Sequence, residues 1–138
     1  RAYNDYLKSS RANDANRQLA YYDLGYAEFA QKRYNDAAAD FARVVKNPGN
    51  LEQSLVADAY NRLGDCRYYQ SDFTAASTYY DQAYSLNPEA GDYALFQKAM
   101  MKGLVKNHHG KIESLDDLME RYPTSGLLPA AMLEKAES

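Results

Sequence analysis

Residues 60–80 read YNRLGDCRYYQSDFTAASTYY. Within them Leu63-Gly64 is followed, nine residues after the glycine, by Phe73 and then by Ala76. The same order stands 39 residues earlier as Leu24-Gly25, Tyr34 and Ala37. Another 39 residues on, Gly103, Ile112 and Leu115 fall at the equivalent places of a degraded copy. A constant period matters because one such unit cannot bury its own apolar face, so stacked copies form one elongated core. The chain is therefore expected to be an all-α solenoid, an architecture used for binding more than for chemistry.

Helical spacing carries the pattern outward on both sides. Tyr60, Leu63, Gly64 and Tyr68 define a first helix, and Phe73, Ala76, Tyr79, Tyr80 and Ala83 a second, which Asn87-Pro88 end. Upstream, Tyr21, Leu24, Gly25 and Phe29 precede Tyr34, Ala37, Ala38, Phe41, Val44 and Val45 at the same spacing. Pro48-Gly49 stop that helix, because proline cannot continue it and disfavours helical geometry in the residue before. In the third copy Ala99 replaces the aromatic, Lys102 precedes Gly103, and Leu115 replaces the small alanine. Gly110 reads there as a helix-ending residue able to adopt positive φ. Ile112, Leu115, Leu118, Met119 and Tyr122 form the next apolar series, closed by Pro123. Ser125 reads as the cap of a last helix containing Leu128, Ala131 and Leu133. Ala2, Tyr3, Tyr6 and Leu7 read as the second helix of a preceding unit.

These features resemble the tetratricopeptide repeat: an aromatic, two residues, Leu-Gly, then Ala, three residues, an aromatic, and a closing proline. The matches are Tyr21 with Leu24-Gly25, Ala37 with Phe41, then Tyr60 with Leu63-Gly64, Ala76 with Tyr80, and Pro88. The resemblance implies a right-handed superhelix of antiparallel helix pairs, a single solenoid fragment over 1–138. Its expected units are the end of a preceding repeat at 1–17, repeats at 18–56 and 57–95, a degenerate repeat at 96–122 and a partial terminal repeat at 123–138. The period of 39 exceeds the common 34, and the surplus falls before each first helix, at 52–56 and 91–95. Five residues lengthen a helix by about 7.5 Å. With the segment from Arg121 through Pro123 to Ala131, this is similar to repeat proteins of the bacterial envelope. Those are outer-membrane assembly lipoproteins and the Tol–Pal-associated periplasmic coordinator. A periplasmic or outer-membrane-associated location is the corresponding expectation.

The resemblance also places the first helix of each unit on a concave groove. It assigns partner contacts to Tyr22, Tyr26, Asn61, Arg62, Asp65, Tyr69, Met101 and His108, with Leu19, Phe29, Asp58, Met100 and Leu104 beside them. Plainer readings stand next to this one. Tyr22 and Tyr26, one turn apart, can pack on an extended neighbouring helix. Arg62 and Asp65, three apart, can form a solvated pair on the helix surface, and the methionines can simply fill core gaps. A clamp for a terminal carboxylate is not expected, since tyrosines stand where lysine and asparagine are needed.

Composition narrows the functional classes. The chain has 138 residues, 46% apolar and 25% charged, as in an ordinary globular domain. It carries 14 tyrosines and no tryptophan, which suits half-buried helix faces and recognition surfaces. Net charge is −3 with interspersed signs, so the basic stripe of a nucleic-acid binder is missing. No apolar run reaches the roughly 20 residues that span a bilayer, so no membrane insertion by this segment is expected. Cys66, the lone cysteine, sits where a small apolar residue is wanted. His108 and His109 are adjacent and diverge by about 100° on a helix, unlike paired metal ligands. Glu113, Asp116 and Asp117 suit the start of a helix. No cofactor and no catalysis are expected. The chain opens on Arg1 in a helical pattern, as an excised fragment would. Incomplete ends would leave apolar surface that a homo-oligomer can cover. The expected role is a scaffold that holds a protein or peptide. The rivals are an architectural arm with an empty groove and a binder of a small glycan or signalling peptide.

Overall fold

The computed structural model describes residues 14–138, with side chains from residue 16. The helix expected at Ala2, Tyr3, Tyr6 and Leu7 lies outside the described residues. Among those described there are seven α-helices and no strand. They are α1 (Asp14–Ala30), α2 (Tyr34–Lys46), α3 (Gln53–Tyr69), α4 (Phe73–Leu86), α5 (Asp92–Leu104), α6 (His108–Arg121) and α7 (Leu128–Ala136), with a short 3₁₀ turn at Pro88–Ala90 before α5. Each helix packs on the next in chain order, giving three pairs and a last helix.

The core is correspondingly linear. One cluster joins α2 to α3 through Ala38, Phe41, Val44, Leu63 and Cys66. A second joins α4 to α5 through Tyr80, Ala83, Ala94 and Met101, and a third joins α5, α6 and α7 through Ala99, Leu115, Leu118 and Ala131. The two Leu-Gly glycines each allow a close approach of the paired helix. A Cβ on Gly64 would lie 2.5 Å from the ring of Tyr80, and one on Gly25 would lie 2.9 Å from Phe41. Both rings are fully buried, so the missing Cβ makes room for a side chain worth about 1.5–3 kcal/mol of burial.

The turns inside each pair are built alike. Lys32, Ser71 and Lys106 take left-handed backbone at φ 62°, 61° and 66°. Two of the following helices are then capped by side chains: Asp72 accepts the Ala75 N–H at 3.2 Å, and Asn107 accepts the Gly110 N–H at 3.0 Å. Gly110 is thus not a helix end. It lies in the first turn of α6, and Lys106 carries the positive φ expected of it.

These turns also correct the register of the third unit. Ser71 follows Lys32 by 39 positions, but Lys106 follows Ser71 by only 35. The reason is that α5 has 13 residues where α3 has 17: the extra turn at 52–56 is built, whereas residues 91–95 only open an ordinary helix. Counted by 35, Ala99 takes the place of Gly64, and Leu115 that of Tyr80; both are fully buried against each other's helices. Gly103, Ile112 and Leu115 therefore lie one helical turn past the repeat positions that a constant period of 39 gives them.

At the C-terminal end Leu127, not Ser125, is the residue preceding α7, and its side chain makes no cap. The Ser125 hydroxyl accepts the Leu127 N–H at 3.0 Å and donates to Asp92 at 2.6 Å, tying the connection to α5. Ala131 is buried, while Met132 and Leu133 are 61% and 60% exposed.

Candidate partner-binding groove

Asp58 and Asp65 lie two turns apart on α3 and project to one side of it. Tyr22 and Tyr26 of α1 both donate to Asp58 Oδ2, Tyr22 at 2.5 Å. Both rings also meet Phe41 edge-on, with centroids 6.1 and 5.3 Å away. Between the two carboxylates lies Arg62, whose Nη1 is 2.9 Å from Asp65 Oδ2 and whose Nε is 3.8 Å from Asp58 Oδ1. Its guanidinium sits 5.1 Å over the Tyr93 ring. Asp65 Oδ1 accepts the hydroxyls of Tyr80 at 2.6 Å and Tyr93 at 2.8 Å. Seven side chains from α1, α3, α4 and α5 thus form one polar network.

Burial and the neighbouring carboxylates hold these phenols neutral. Burial, then the Asp58 hydrogen bond, pushes Tyr22 up to about 12; burial, then the charge of Asp65, does the same to Tyr93. Tyr26 and Tyr80 are raised further for the same reasons. They act as donors at any physiological pH. The Arg62–Asp65 pair is accordingly not the solvated surface pair of the plainer reading, because both side chains are largely buried.

Beside this network opens a cavity of about 690 Å³, bounded by α3, α5, α6 and α7, with Tyr80 of α4 and Phe29 of α1 also in its wall. Tyr69, 55% exposed, stands on its rim, stacked on Tyr34 at 4.6 Å and edge-on to Phe29 at 6.0 Å. Leu104, 48% exposed, and the half-buried Met100 come from α5. Lys111 and Glu134, paired at 3.0 Å, contribute from α6 and α7.

The residues assigned from sequence divide between this cavity and other places. Arg62, Asp65, Tyr69, Met101 and His108 line it together. Met101, however, is 3% exposed and fills the core between α4 and α5. His108 is not on the first helix of its pair; it is the exposed first residue of α6. Tyr22 and Tyr26 are not among the lining side chains, since they pack on the neighbouring helix. Asn61 faces a smaller recess of about 230 Å³ with Asp58 and Arg62, and its buried Oδ1 has no hydrogen-bond partner.

Tyr93, Gln97, Lys111 and Glu134 line the cavity and were missed. A signal for two of them existed. With a 35-residue offset, Tyr93, Gln97, Met100 and Leu104 become the counterparts of Asp58, Arg62, Asp65 and Tyr69, and all four line the cavity. The turn motif Ser71-Asp72, echoed by Lys106-Asn107, fixes that offset.

Elsewhere the chemistry is muted. Cys66 is fully buried, and burial, then the charge of Asp65, pushes its thiol up to about 12. Among the described residues no three His, Cys, Asp or Glu side chains gather to hold a metal. No helix among them is long and apolar enough to cross a membrane.

Comparison with known proteins agrees with the fold. Two tetratricopeptide-repeat family models match, one over residues 19–49 and the other over 57–90. Among curated proteins no relative matches the sequence. The crystal structure of MamA superimposes with a TM-score of 0.72 at 23% identity, over 88% of this chain and 66% of that one. At that identity the likeness speaks for the fold. Residues 19–49 and 57–90 thus match tetratricopeptide repeats, a kind of module that generally mediates protein–protein interaction, and the described helices stack as an all-α solenoid.

Proposed function

We propose that the protein is a non-catalytic scaffold that seats a partner protein or peptide in the cavity beside α3 and α5. The observation that carries this reading is the open 690 Å³ cavity with Tyr69 and Leu104 exposed on its rim. Its volume lies within the roughly 300–1,000 Å³ typical of ligand sites. The floor beneath is held by the Asp58–Arg62–Asp65 network, so little ordering is left to be done on binding. An exposed aromatic over a rigid floor is the arrangement of an interaction anchor. A net charge of −3 favours protein over nucleic acid as the partner.

Capture of native partners tests this, with Tyr69→Ala/Leu104→Ser compared with wild type and with Thr78→Ala on the exposed side of α4. Circular dichroism verifies each fold. A partner retained by wild type and Thr78→Ala but lost by the groove variant supports the reading; equal retention by all three contradicts it.

As setting we propose the bacterial envelope, supported by the 39-residue spacing of the first two repeats and by the segment after Arg121. Fractionation of cells that make the protein checks it: recovery in the cytosol rules it out. Exposed Met132 and Leu133 favour a second contact, self-association through the α7 end. Sedimentation velocity should then show a dimer that Met132→Ser/Leu133→Ser abolishes, and a wild-type monomer at high concentration contradicts it.

A further inference from the structure

Resting on that reading of the cavity, we infer that the segment seated there is uncharged and apolar, anchored by aliphatic or aromatic side chains between Tyr69 and Leu104. The Arg, Lys, Asp and Glu side chains of the cavity wall are all paired within it, with the exposed His108 the one histidine beside them. Arg62 is paired with Asp65, and Lys111 with Glu134. Asp65 is further occupied by two tyrosine hydroxyls, from Tyr80 and Tyr93. A charged ligand would therefore be desolvated without gaining a counter-charge, or would have to break a largely buried pair and strand its partner.

The apolar part of the wall is where binding has most to gain. Tyr68, Tyr69 and Leu104 are exposed, and Phe29 and Met100 are half-buried beside them, so a covering side chain removes apolar surface on both sides. Met100 can reshape to fit it. Gln97, a neutral amide in the same wall, can address a peptide backbone without demanding charge. Charge complementarity at this site thus means neutrality.

A random heptapeptide display library selected against the protein, and counter-selected on the folded Tyr69→Ala/Leu104→Ser variant, provides the test. The enriched peptides should share aliphatic or aromatic positions and no acidic or basic one. The best of them, synthesised, should lose about tenfold or more in affinity with the variant. Its affinity should change less than about threefold between 50 and 500 mM NaCl, because unpaired charges screened by salt take no part. Enriched peptides that depend on Tyr69 but share a charged residue, with affinity falling about tenfold in salt, overturn the inference and leave the scaffold reading in place. Absence of any Tyr69-dependent peptide overturns both.

Discussion

Removing the Asp65 carboxylate should unlock the groove floor. Asp65→Ala takes the acceptor from Tyr80, Tyr93 and Arg62 at once. Tyr80 is 1% exposed, so its hydroxyl finds no water, and losing a bond to a charged acceptor costs about 1.5–3 kcal/mol. Tyr93 and Arg62 border the cavity and are partly rehydrated, which reduces their share. The total falls at about 3–5 kcal/mol, the range for breaking one side of a buried pair. With a urea slope of about 1–3 kcal/mol/M, the unfolding midpoint should drop by about 2 M. Asp65→Asn keeps an acceptor in the same volume and should lose about half as much. A double-mutant cycle sharpens the point. Tyr80→Phe should destabilise the wild type but be neutral or stabilising once Asp65 is alanine, because it deletes the orphaned hydroxyl. An Asp65→Ala loss under about 1 kcal/mol, or an unchanged Tyr80→Phe effect in both backgrounds, would refute this account of the floor.

Three other outcomes are expected. Gly25→Ala drives a Cβ to 2.9 Å from Phe41 and should cost about 1–3 kcal/mol by urea denaturation. Adding Phe41→Leu should recover part of the loss, since Ala99 and Leu115 already form that pair in the third repeat. Burial, then the hydrogen bond and charge of Asp40, raise Glu28 from 4.5 to about 8, with Asp36 adding and Arg33 subtracting. The folded chain thus keeps a proton that the unfolded chain releases near 4.5, so stability should fall as pH rises from about 4.5 through about 8. Thermal melts at pH 5.5, 7 and 9 should show this fall, flattened in Glu28→Gln. Cys66, buried and with its thiol raised to about 12, should react with Ellman's reagent only as fast as the protein unfolds; rapid labelling under native conditions would contradict its burial.

The first two repeats were legible because their signal is local and steric. Gly25 and Gly64 face Phe41 and Tyr80, so Leu-Gly and the later aromatic cannot vary independently. The third repeat solves the same contact with Ala99 and Leu115, which carry no conspicuous pattern, and Gly103 then draws the eye to a place one turn too far. That shift sent the groove assignment to Met101 and His108 and away from Tyr93 and Gln97. Tyr22 and Tyr26 were ambiguous for another reason. Whether a tyrosine on a concave face meets a partner or its own scaffold depends on the next helix, and Asp58 sits within reach of both hydroxyls. The Lys111–Glu134 pair joins α6 to α7 across 23 residues, a contact no helical periodicity encodes.

Site-specific photo-cross-linking addresses the central claim most directly. A cross-linking amino acid is placed at position 69 on the cavity rim, at 22 where the side chain packs on Asp58 and Phe41, or at 78 on the exposed side of α4. The protein is then irradiated in the cells that produce it. Position 69 should give a discrete adduct with another protein, and positions 22 and 78 should not. An adduct from 22 or 78 with none from 69 would contradict the assignment of this cavity as the place where the scaffold holds its partner.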